Sequence, residues 1–251
     1  MNVEQRQGDR SVGESLFSYF DRTYVINLEQ RTDRKREMLE NFARLGIAPE
    51  ASSIHFFPAI RPDSPAGFRT LGARGCFLSH LGVLKDAQQR GLDRILIFED
   101  DLDFTPDFAS RVDDVVTALQ QTSWGVFYGG HEVPSFRPTE TRTLHVIPQE
   151  LGVICNHFIG FSKPHIGKLV DYLEAMLERE SGHPEGGPMD VDGAYSWYRG
   201  ATPECVTVGC FPPIGVQRPS RTDISDTRWF DRFPLLSGPL RQLRRIKHKL
   251  K

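Results

Sequence analysis

Apolar and polar positions along the chain predict short buried strands separated by amphipathic helices. Short apolar runs indicate strands at 23–28, 53–58, 95–98 and 124–128. Apolar residues at three- and four-residue spacing indicate helices at 32–45, 72–90 and 106–121. Strands and helices in this alternation predict an α/β fold with a largely parallel sheet and right-handed crossovers.

The second half of the chain has a different pattern. Apolar runs at 144–147 and 153–161 predict two strands joined by a turn, and Ser162 opens a helix that extends to about residue 180. A loop rich in Gly and Pro at 181–188 leads into a short helix near Asp190. We expect a mobile N-terminus at 1–15, one domain at 16–230 with halves at about 16–135 and 136–230, and a separate tail at 231–251.

Four carboxylates follow the predicted strand at 95–98, namely Glu99, Asp100, Asp101 and Asp103. In open α/β sheets ligands bind beyond the carboxyl ends of the strands. Carboxylates this close repel one another unless a cation or positive partner is present. A hard cation such as Mn²⁺ or Mg²⁺ prefers these oxygen ligands and completes its shell with substrate phosphates. The alternative is that these acids solvate and cap the next helix, which opens with Thr105-Pro106-Asp107.

Two other stretches offer polar groups for a ligand. After the first strand, Asn27-Leu28 and the cations Arg31 and Arg34 suit a base, ribose or phosphate, although a charged turn has the same composition. The segment Gly72–His80 (Gly-Ala-Arg-Gly-Cys-Phe-Leu-Ser-His) opens a helix, and the free amides at a helix N-terminus favour an anion. Its glycine spacing matches neither the P-loop nor the dinucleotide pattern, and a lone helical histidine is also common in a protein core.

Composition excludes some classes of protein. The 251 residues are 39% hydrophobic and 25% charged, as in ordinary globular domains, and the net charge of −2 gives no basic field for nucleic acid. Four cysteines without a Cys-x-x-Cys pair favour buried thiols and a reducing compartment. The N-terminus has no apolar signal core, and no apolar run reaches the roughly 18 residues of a membrane span. We therefore expect a cytoplasmic protein.

The C-terminal tail carries a concentrated positive charge. Residues 241–251 contain six Lys or Arg and no acid, and Leu and Ile recur from 235 to 250 at near-helical spacing. This pattern predicts an amphipathic helix on an anionic membrane surface, so that the protein is peripheral at the inner face. The alternative is a solvated basic end.

These motifs, in their order along the chain, resemble those of glycosyltransferase family 25, which includes bacterial lipooligosaccharide galactosyltransferases and relatives of collagen galactosyltransferases. Residues Tyr24–Arg34 match the opening strand and basic turn of the family, Gly75–His80 match its Gly-Cys-x-x-Ser-His motif, and Glu99–Asp101 match its Glu-Asp-Asp motif. Weaker matches follow at 157–162, 188–192 and 217–224. The resemblance covers about Thr23 to Ile224.

The resemblance implies an A-type glycosyltransferase fold, with a Rossmann-like donor half and a smaller acceptor-side half. It implies an inverting transfer of a hexose, galactose favoured, from a UDP-sugar to a saccharide or lipid-linked oligosaccharide, as in lipopolysaccharide biosynthesis. Asp101 is then the first choice for binding Mn²⁺ or Mg²⁺, with Glu99 and Asp103 as competitors. The implied donor-binding residues are Asn27, Leu28, Arg31, Arg34, Gly75, Ser79, His80, Asp100 and Gln217.

An inverting displacement needs a carboxylate that takes the proton of the acceptor hydroxyl. We choose Asp190, with Asp192 second, because both lie at a loop-to-helix junction after the donor half; Asp190 is alternatively a helix N-cap. The aromatic residues Tyr195, Trp197 and Tyr198 suit either an acceptor sugar or the core. Two other functions remain open: a catalytically silent nucleotide-sugar binding module, and a metal-dependent phosphohydrolase or nucleotidyltransferase.

Overall fold

A computed structural model describes residues 14–49 and 53–218. Residues 1–13, the end of the late motif at 219–224 and the basic tail at 231–251 lie outside the described residues, so the expectations for them stay predictions. Within the described ranges, no helix is both long and apolar enough to cross a bilayer.

The described elements follow the predicted alternation closely in the first half. The helices are α1 (Glu14–Tyr19), α2 (Thr32–Arg44), α3 (Leu71–Gln89), α4 (Phe108–Gln121), α5 (Lys163–Leu177) and α6 (Val191–Ala201). The strands are β1 (Arg22–Asn27), β2 (Ile54–Pro58), β3 (Arg94–Glu99), β4 (Leu102–Phe104), β5 (Val126–Glu132), β6 (His145–Val146), β7 (Ile154–Ser162), β8 (Thr207–Gly209) and β9 (Gly215–Gln217). The predicted strands and helices between residues 23 and 128 are confirmed, with bounds that differ by a few residues.

In the described part of the chain, seven strands form one sheet in the order β2-β1-β3-β7-β5-β8-β6. Five of them run in one direction, while β7 and β6 are reversed. Side chains alternate between two cores: Ile95 and Ile97 face α3, α5 and α6, whereas Leu96 and Phe98 face α1, α2 and α4. The predicted α/β fold, with a mostly parallel sheet flanked by helices, is confirmed.

The expected pairing of the strands near 144–147 and 153–161 is wrong. Strand β6 lies at the sheet edge against β8, whereas β7 is inserted between β3 and β5. The segment between β6 and β7 does not form a hairpin, and the fully buried Arg199 explains why. Its guanidinium donates to the carbonyls of Ile147 (3.3 Å), Pro148 (2.9 Å) and Leu151 (3.0 Å), so this loop finds its hydrogen bonds on a side chain rather than in a hairpin.

A two-stranded ribbon follows the carboxylates directly. Strand β4 pairs antiparallel with β9, so that Leu102 lies opposite Gln217. The amide and hydroxyl of Thr105 both donate to the carbonyl of Ile214 at 3.1 Å, which extends this ribbon. Thr105 is therefore not the N-cap of α4, as the sequence suggested; that position belongs to Asp107, which makes no side-chain capping bond.

Candidate functional site

Asp100 is bound on both of its oxygens. Because β1 and β3 are parallel neighbours, their carboxyl ends meet, and Asn27 Nδ2 donates to Asp100 Oδ2 at 2.7 Å. A guanidinium nitrogen of Arg34 donates to Oδ1 at 2.6 Å. Burial raises the pKa of Asp100, although Arg34 and Asn27 both lower it. Three of the predicted donor-binding residues thus form one cluster, in which the Asp100 carboxylate is already engaged.

Asp101, in contrast, is a buried carboxylate with few hydrogen bonds or positive charges to offset the cost of burying its negative charge. It is 6% exposed, and its Oδ2 accepts a hydrogen bond from Gln217 Nε2 (3.2 Å) with Arg34 at 3.7 Å. Its Oδ1 has no hydrogen-bond partner among residues 14–49 and 53–218. Burial, followed by the charge of Glu99, raises the pKa of Asp101 to about 7. A buried carboxylate of this kind is suited to a divalent cation, so the residues present fit the implied metal.

Asp103 belongs to a different network. Its Oδ1 accepts bonds from Arg218 at 3.0 and 2.8 Å and from Asn41 Nδ2 at 3.0 Å. Arg218, which is 6% exposed, also donates to Glu37 and to the carbonyl of Leu102. Asp103 is thus held in a structural ion pair, which leaves Asp101 and Glu99 as the better candidates for a cation. Sequence reasoning gave Arg218 no role, since nothing in its neighbourhood marks it as the partner of a distant acid.

Glu99 faces the inner surface of α3. Its Oε1 lies 3.5 Å from His80 Nε2 and 3.8 Å from Cys76 Sγ. His80 is fully buried, and its Nδ1 lies 3.0 Å from the hydroxyl of Tyr195 on α6. Burial by itself raises the pKa of Glu99, but His80 and the charges of His157 and Arg34 lower it overall. The neighbouring acids Glu99 and Asp101 are therefore shifted in opposite directions.

The other two predicted residues of the Gly75–His80 motif have packing roles. Helix α3 begins at Leu71 with Thr70 as its N-cap, one residue before the predicted start at Gly72, so Gly75, Ser79 and His80 lie inside the helix. Ser79 Oγ donates to the carbonyl of Gly75 (2.6 Å) and accepts from the amide of Ile60 (2.8 Å). A Cβ at Gly75 would lie 2.7 Å from the carbonyl oxygen of Ile60, so glycine permits this close packing.

Leu28 and Arg31 lie in the turn between β1 and α2. The amide of Arg31 donates to the carbonyl of Leu28 at 2.8 Å. The Arg31 guanidinium pairs with Asp33 at 3.0 Å, and this hydrogen bond lowers the pKa of Asp33 to about 2. Both residues border the Asp100 cluster through Asn27, which donates to the carbonyl of Arg31 at 3.3 Å. Their role in binding a donor stays a prediction.

The predicted base residues lie at the N-terminus of α6. Asp190 occupies the N-cap position without a side-chain capping bond; Arg69 donates to its Oδ2 at 3.1 Å, and its buried Oδ1 has no partner in the described part of the chain. Burial raises the pKa of Asp192, and the charges of Asp190 and Glu99 raise it further. Backbone hydrogen bonds from Gly193 and Cys155 lower this pKa, but the net shift is upward. Acids from both halves of the chain therefore act on one another electrostatically.

Asn156 is a residue that sequence reasoning missed. It is 3% exposed, yet neither its amide nitrogen nor its oxygen has a hydrogen-bond partner among the described residues, and the same holds for Nδ1 of the adjacent His157. Cys155 precedes Asn156 in β7, and burial followed by the charges of Glu132 and Glu99 raises the pKa of its thiol to about 12. Buried polar atoms normally find partners, so this part of β7 is suited to contact a ligand.

Two open clefts in the described part of the chain are lined by residues other than the four carboxylates. One of about 720 Å³ is lined by Trp197, which is 42% exposed, together with Tyr172 and Arg179. The other, of about 660 Å³, lies at the end of β5 and is lined by Phe136 and Phe211, whose ring centroids are 5.0 Å apart. Tyr195 and Tyr198 are buried in the core, so only Trp197 of the three predicted aromatics is open to an acceptor.

An α/β sheet whose edge gathers buried carboxylates and polar atoms without partners defines a site for a cation and a polar ligand. A sequence model of glycosyltransferase family 25 (LPS biosynthesis protein) matches residues 66–147, which contain the Gly75–His80 motif and all four carboxylates. The resemblance to this family inferred from the motifs is thereby confirmed, at modest identity to its curated members.

The curated relatives include a protein named as a galactosyltransferase and others named as inactive. Procollagen galactosyltransferase 1 of Danio rerio is 30% identical over 131 residues, which are 45% of this chain and 22% of the relative. The probable inactive glycosyltransferase 25 family member 3 of Rattus norvegicus is 33% identical over 133 residues, 45% of this chain and 23% of the relative. The chain thus matches less than a quarter of the length of these relatives.

Among solved structures, the chain is similar to a glycosyltransferase involved in the glycosylation of the major capsid of PBCV-1. The alignment covers 80% of this chain and 93% of that one, with 9% sequence identity and a TM-score of 0.47.

Proposed function

We propose that this protein is a metal-assisted glycosyltransferase that moves a hexose, with galactose favoured, from a UDP-sugar to a hydroxyl of a saccharide or glycoconjugate. The observation that carries the proposal is the group formed by Asn27, Arg34, Asp100, Asp101 and Gln217. These residues come from three separate parts of the sequence and meet at one edge of the sheet. The matched family and the curated galactosyltransferase relative support the same reaction class.

The donor's diphosphate and its cation belong at Asp101 in this proposal. Asp101 Oδ1 is the direct ligand, because it is buried without a partner among the described residues. When bound, Mn²⁺ or Mg²⁺ supplies a Lewis acid that stabilises the negative charge developing on the departing diphosphate. Arg34 adds a permanent positive charge on the same side, and Gln217 holds Asp101 Oδ2 in position.

A carboxylate from α6 takes the proton of the acceptor hydroxyl. Burial raises the pKa of Asp192, which is the direction that favours a general base. Asp190 has a 44% exposed side chain beside Arg69. Both stay candidates, and the exposed Trp197 is suited to stack against a sugar of the acceptor.

Thermal unfolding with Mn²⁺ and a panel of nucleotide sugars tests donor binding. Ligand at about 100 times its dissociation constant should stabilise wild type by about 2.7 kcal/mol. Asp101→Asn should lose the shift, whereas Asp171→Asn, which changes an exposed acid on α5, should keep it. If no nucleotide sugar stabilises wild type, or if Asp101→Asn keeps the full shift, the proposed donor site is refuted.

Turnover with the donor so identified tests the base. Replacing the true base with Asn should lower kcat by about 10² to 10⁴ while the donor-dependent thermal shift remains. If both Asp190→Asn and Asp192→Asn retain wild-type turnover, the base lies elsewhere. Because some curated relatives are named inactive, donor binding without turnover on any acceptor would favour the silent binding module instead.

A further inference from the structure

A second group of potential metal ligands lies beside the proposed donor site. Cys76, His80 and Glu99 each offer one ligand atom, and these three atoms lie within 4.8 Å of one another. Cys76 and His80 are four residues apart on α3, so they share one face of the helix, and Glu99 ends the adjacent strand β3. Two rigid elements therefore hold the three atoms together.

The separations of Glu99 from His80 and Cys76 are close to those between two ligands of one cation, and the contact with His80 is long for a hydrogen bond. Glu99 Oε1 lies 3.5 Å from His80 Nε2 and 3.8 Å from Cys76 Sγ. A good N–H···O bond is about 2.9 Å long. Tetrahedral zinc with ordinary bond lengths sets its N and O ligands about 3.4 Å apart and its S and O ligands about 3.6 Å apart. The separations of Glu99 Oε1 from His80 Nε2 and from Cys76 Sγ are therefore within a few tenths of an ångström of those expected around zinc.

The orientation of His80 is a second, independent observation. The imidazole is fully buried, and its Nε2 has no hydrogen-bond partner within the described ranges. The other ring nitrogen, Nδ1, lies 3.0 Å from the Tyr195 hydroxyl. When Nδ1–H donates to this oxygen, Nε2 presents its lone pair towards Glu99 and Cys76. Histidines that bind metals are held by such a partner on the opposite nitrogen.

We propose that Cys76, His80 and Glu99 form a zinc site, distinct from the oxygen-only site of Asp101 that suits Mn²⁺ or Mg²⁺. The donor set decides the metal: thiolate and imidazole select Zn²⁺, whereas the harder cations prefer oxygen. When zinc binds, the Cys76 thiol loses its proton to solvent and the resulting thiolate forms the zinc–sulfur bond. No oxidation state changes in this step. Three protein ligands leave the fourth coordination position open.

Cobalt substitution tests the site without reference to sugar transfer. The purified full-length chain, freed of metal with a chelator, is titrated with Co²⁺ and then with Zn²⁺. We expect one equivalent of Co²⁺ to give a thiolate-to-cobalt charge-transfer band and the intense visible bands of four-coordinate cobalt, both abolished by Zn²⁺. Absence of the charge-transfer band from folded wild type overturns the proposal.

Variants assign the ligands. Cys76→Ser should remove the charge-transfer band, and His80→Asn should weaken Zn²⁺ binding by at least about 100-fold. Cys155→Ser is the matched control, because Cys155 is also a partly buried thiol near Glu99, and it should leave the band unchanged. Persistence of the band in folded Cys76→Ser, or its loss in Cys155→Ser, overturns the assignment.

Two further variants separate this site from a folding effect and from the donor site. Tyr195→Phe removes only the hydroxyl that contacts His80 and should weaken Zn²⁺ binding by about 10- to 100-fold. This variant tests the site independently of whether the ligand variants fold. Asp101→Asn should retain the cobalt spectrum while it loses the Mn²⁺ and nucleotide-sugar response. Equal Zn²⁺ affinity in Tyr195→Phe and wild type, or loss of the spectrum in Asp101→Asn, contradicts a separate site built around His80.

Discussion

Replacing Asp101 with asparagine should stabilise the metal-free protein, although Asp101 is the proposed metal ligand. The carboxylate is 6% exposed, and burial together with the charge of Glu99 raises its pKa from 3.8 to about 7. The folded protein therefore disfavours the charged form of this residue. Asparagine has nearly the shape of the neutral carboxyl group and keeps an oxygen for the hydrogen bond from Gln217 Nε2.

The size of the effect follows from the pKa difference. Each unit corresponds to about 1.36 kcal/mol, so the ionised Asp101 costs about 4 kcal/mol of stability above pH 7, where the loss is complete. The sign is fixed because the unfolded chain gives up this proton near pH 4 and the folded chain near pH 7, so stability falls as pH rises between these values. At pH 5 the cost is about 2 kcal/mol.

Urea unfolding in a chelator at pH 5 and pH 8 measures the difference. We expect Asp101→Asn to exceed wild type by up to about 4 kcal/mol at pH 8 and by about 2 kcal/mol or less at pH 5. The exposed control Asp171→Asn should stay within about 0.5 kcal/mol of wild type at both pH values. Saturating Mn²⁺ should stabilise wild type alone. A variant less stable than wild type at pH 8, or a difference independent of pH, would refute the view that Asp101 lacks compensation.

Three further predictions concern packing and the acceptor. Arg218→Ala should cost about 1 to 3 kcal/mol in chemical unfolding, because the half-buried acids Asp103 and Glu37 lose their hydrogen bonds from a buried guanidinium, whereas Arg142→Ala, in an exposed pair, should have little effect; equal losses would contradict this. Gly75→Ala should destabilise by about 1 to 3 kcal/mol because its Cβ meets a backbone oxygen, whereas Gly200→Ala on α6, with nothing within 4 Å, should be neutral or stabilising; the reverse order would be inconsistent with the packing. Trp197→Ala should raise the KM for the acceptor and leave that for the donor unchanged; an effect on the donor alone would rule out the acceptor role.

The sequence predicted the first half of the fold well because local rules decide it. Strands β1, β2 and β3 and helices α2, α3 and α4 each carry their own apolar periodicity. The insertion of β7 between β3 and β5 was not predicted, because it depends on long-range partners. Arg199 binds carbonyls about 50 residues earlier in the chain, and no local pattern reveals such a contact.

The dependence on long-range contacts also explains why the sequence could not rank the four carboxylates. They are nearly equivalent in sequence, but the structure gives them different partners. Asp100 is bound by residues near the first strand, which the motif order suggested. Asp103 is bound by Arg218, which lies 115 residues later in the chain, so its ion pair was beyond sequence reasoning. Only these distant contacts show that Asp101 is the acid whose charge is least compensated.

This contrast between paired and unpaired polar atoms separates structural from functional residues at the sheet edge. Folding alone favours buried charges that are paired, as Arg218 is with Asp103 and Asp100 with Arg34. The atoms without partners in the described part of the chain instead include Asp101 Oδ1, His80 Nε2 and both polar atoms of Asn156. Each such atom costs stability in the free protein, and a ligand that completes these bonds recovers that cost as binding energy. The stability expected from Asp101→Asn and the metal affinity expected from wild type therefore have one physical cause, so an experiment that finds one without the other would separate the fold from the function proposed for it.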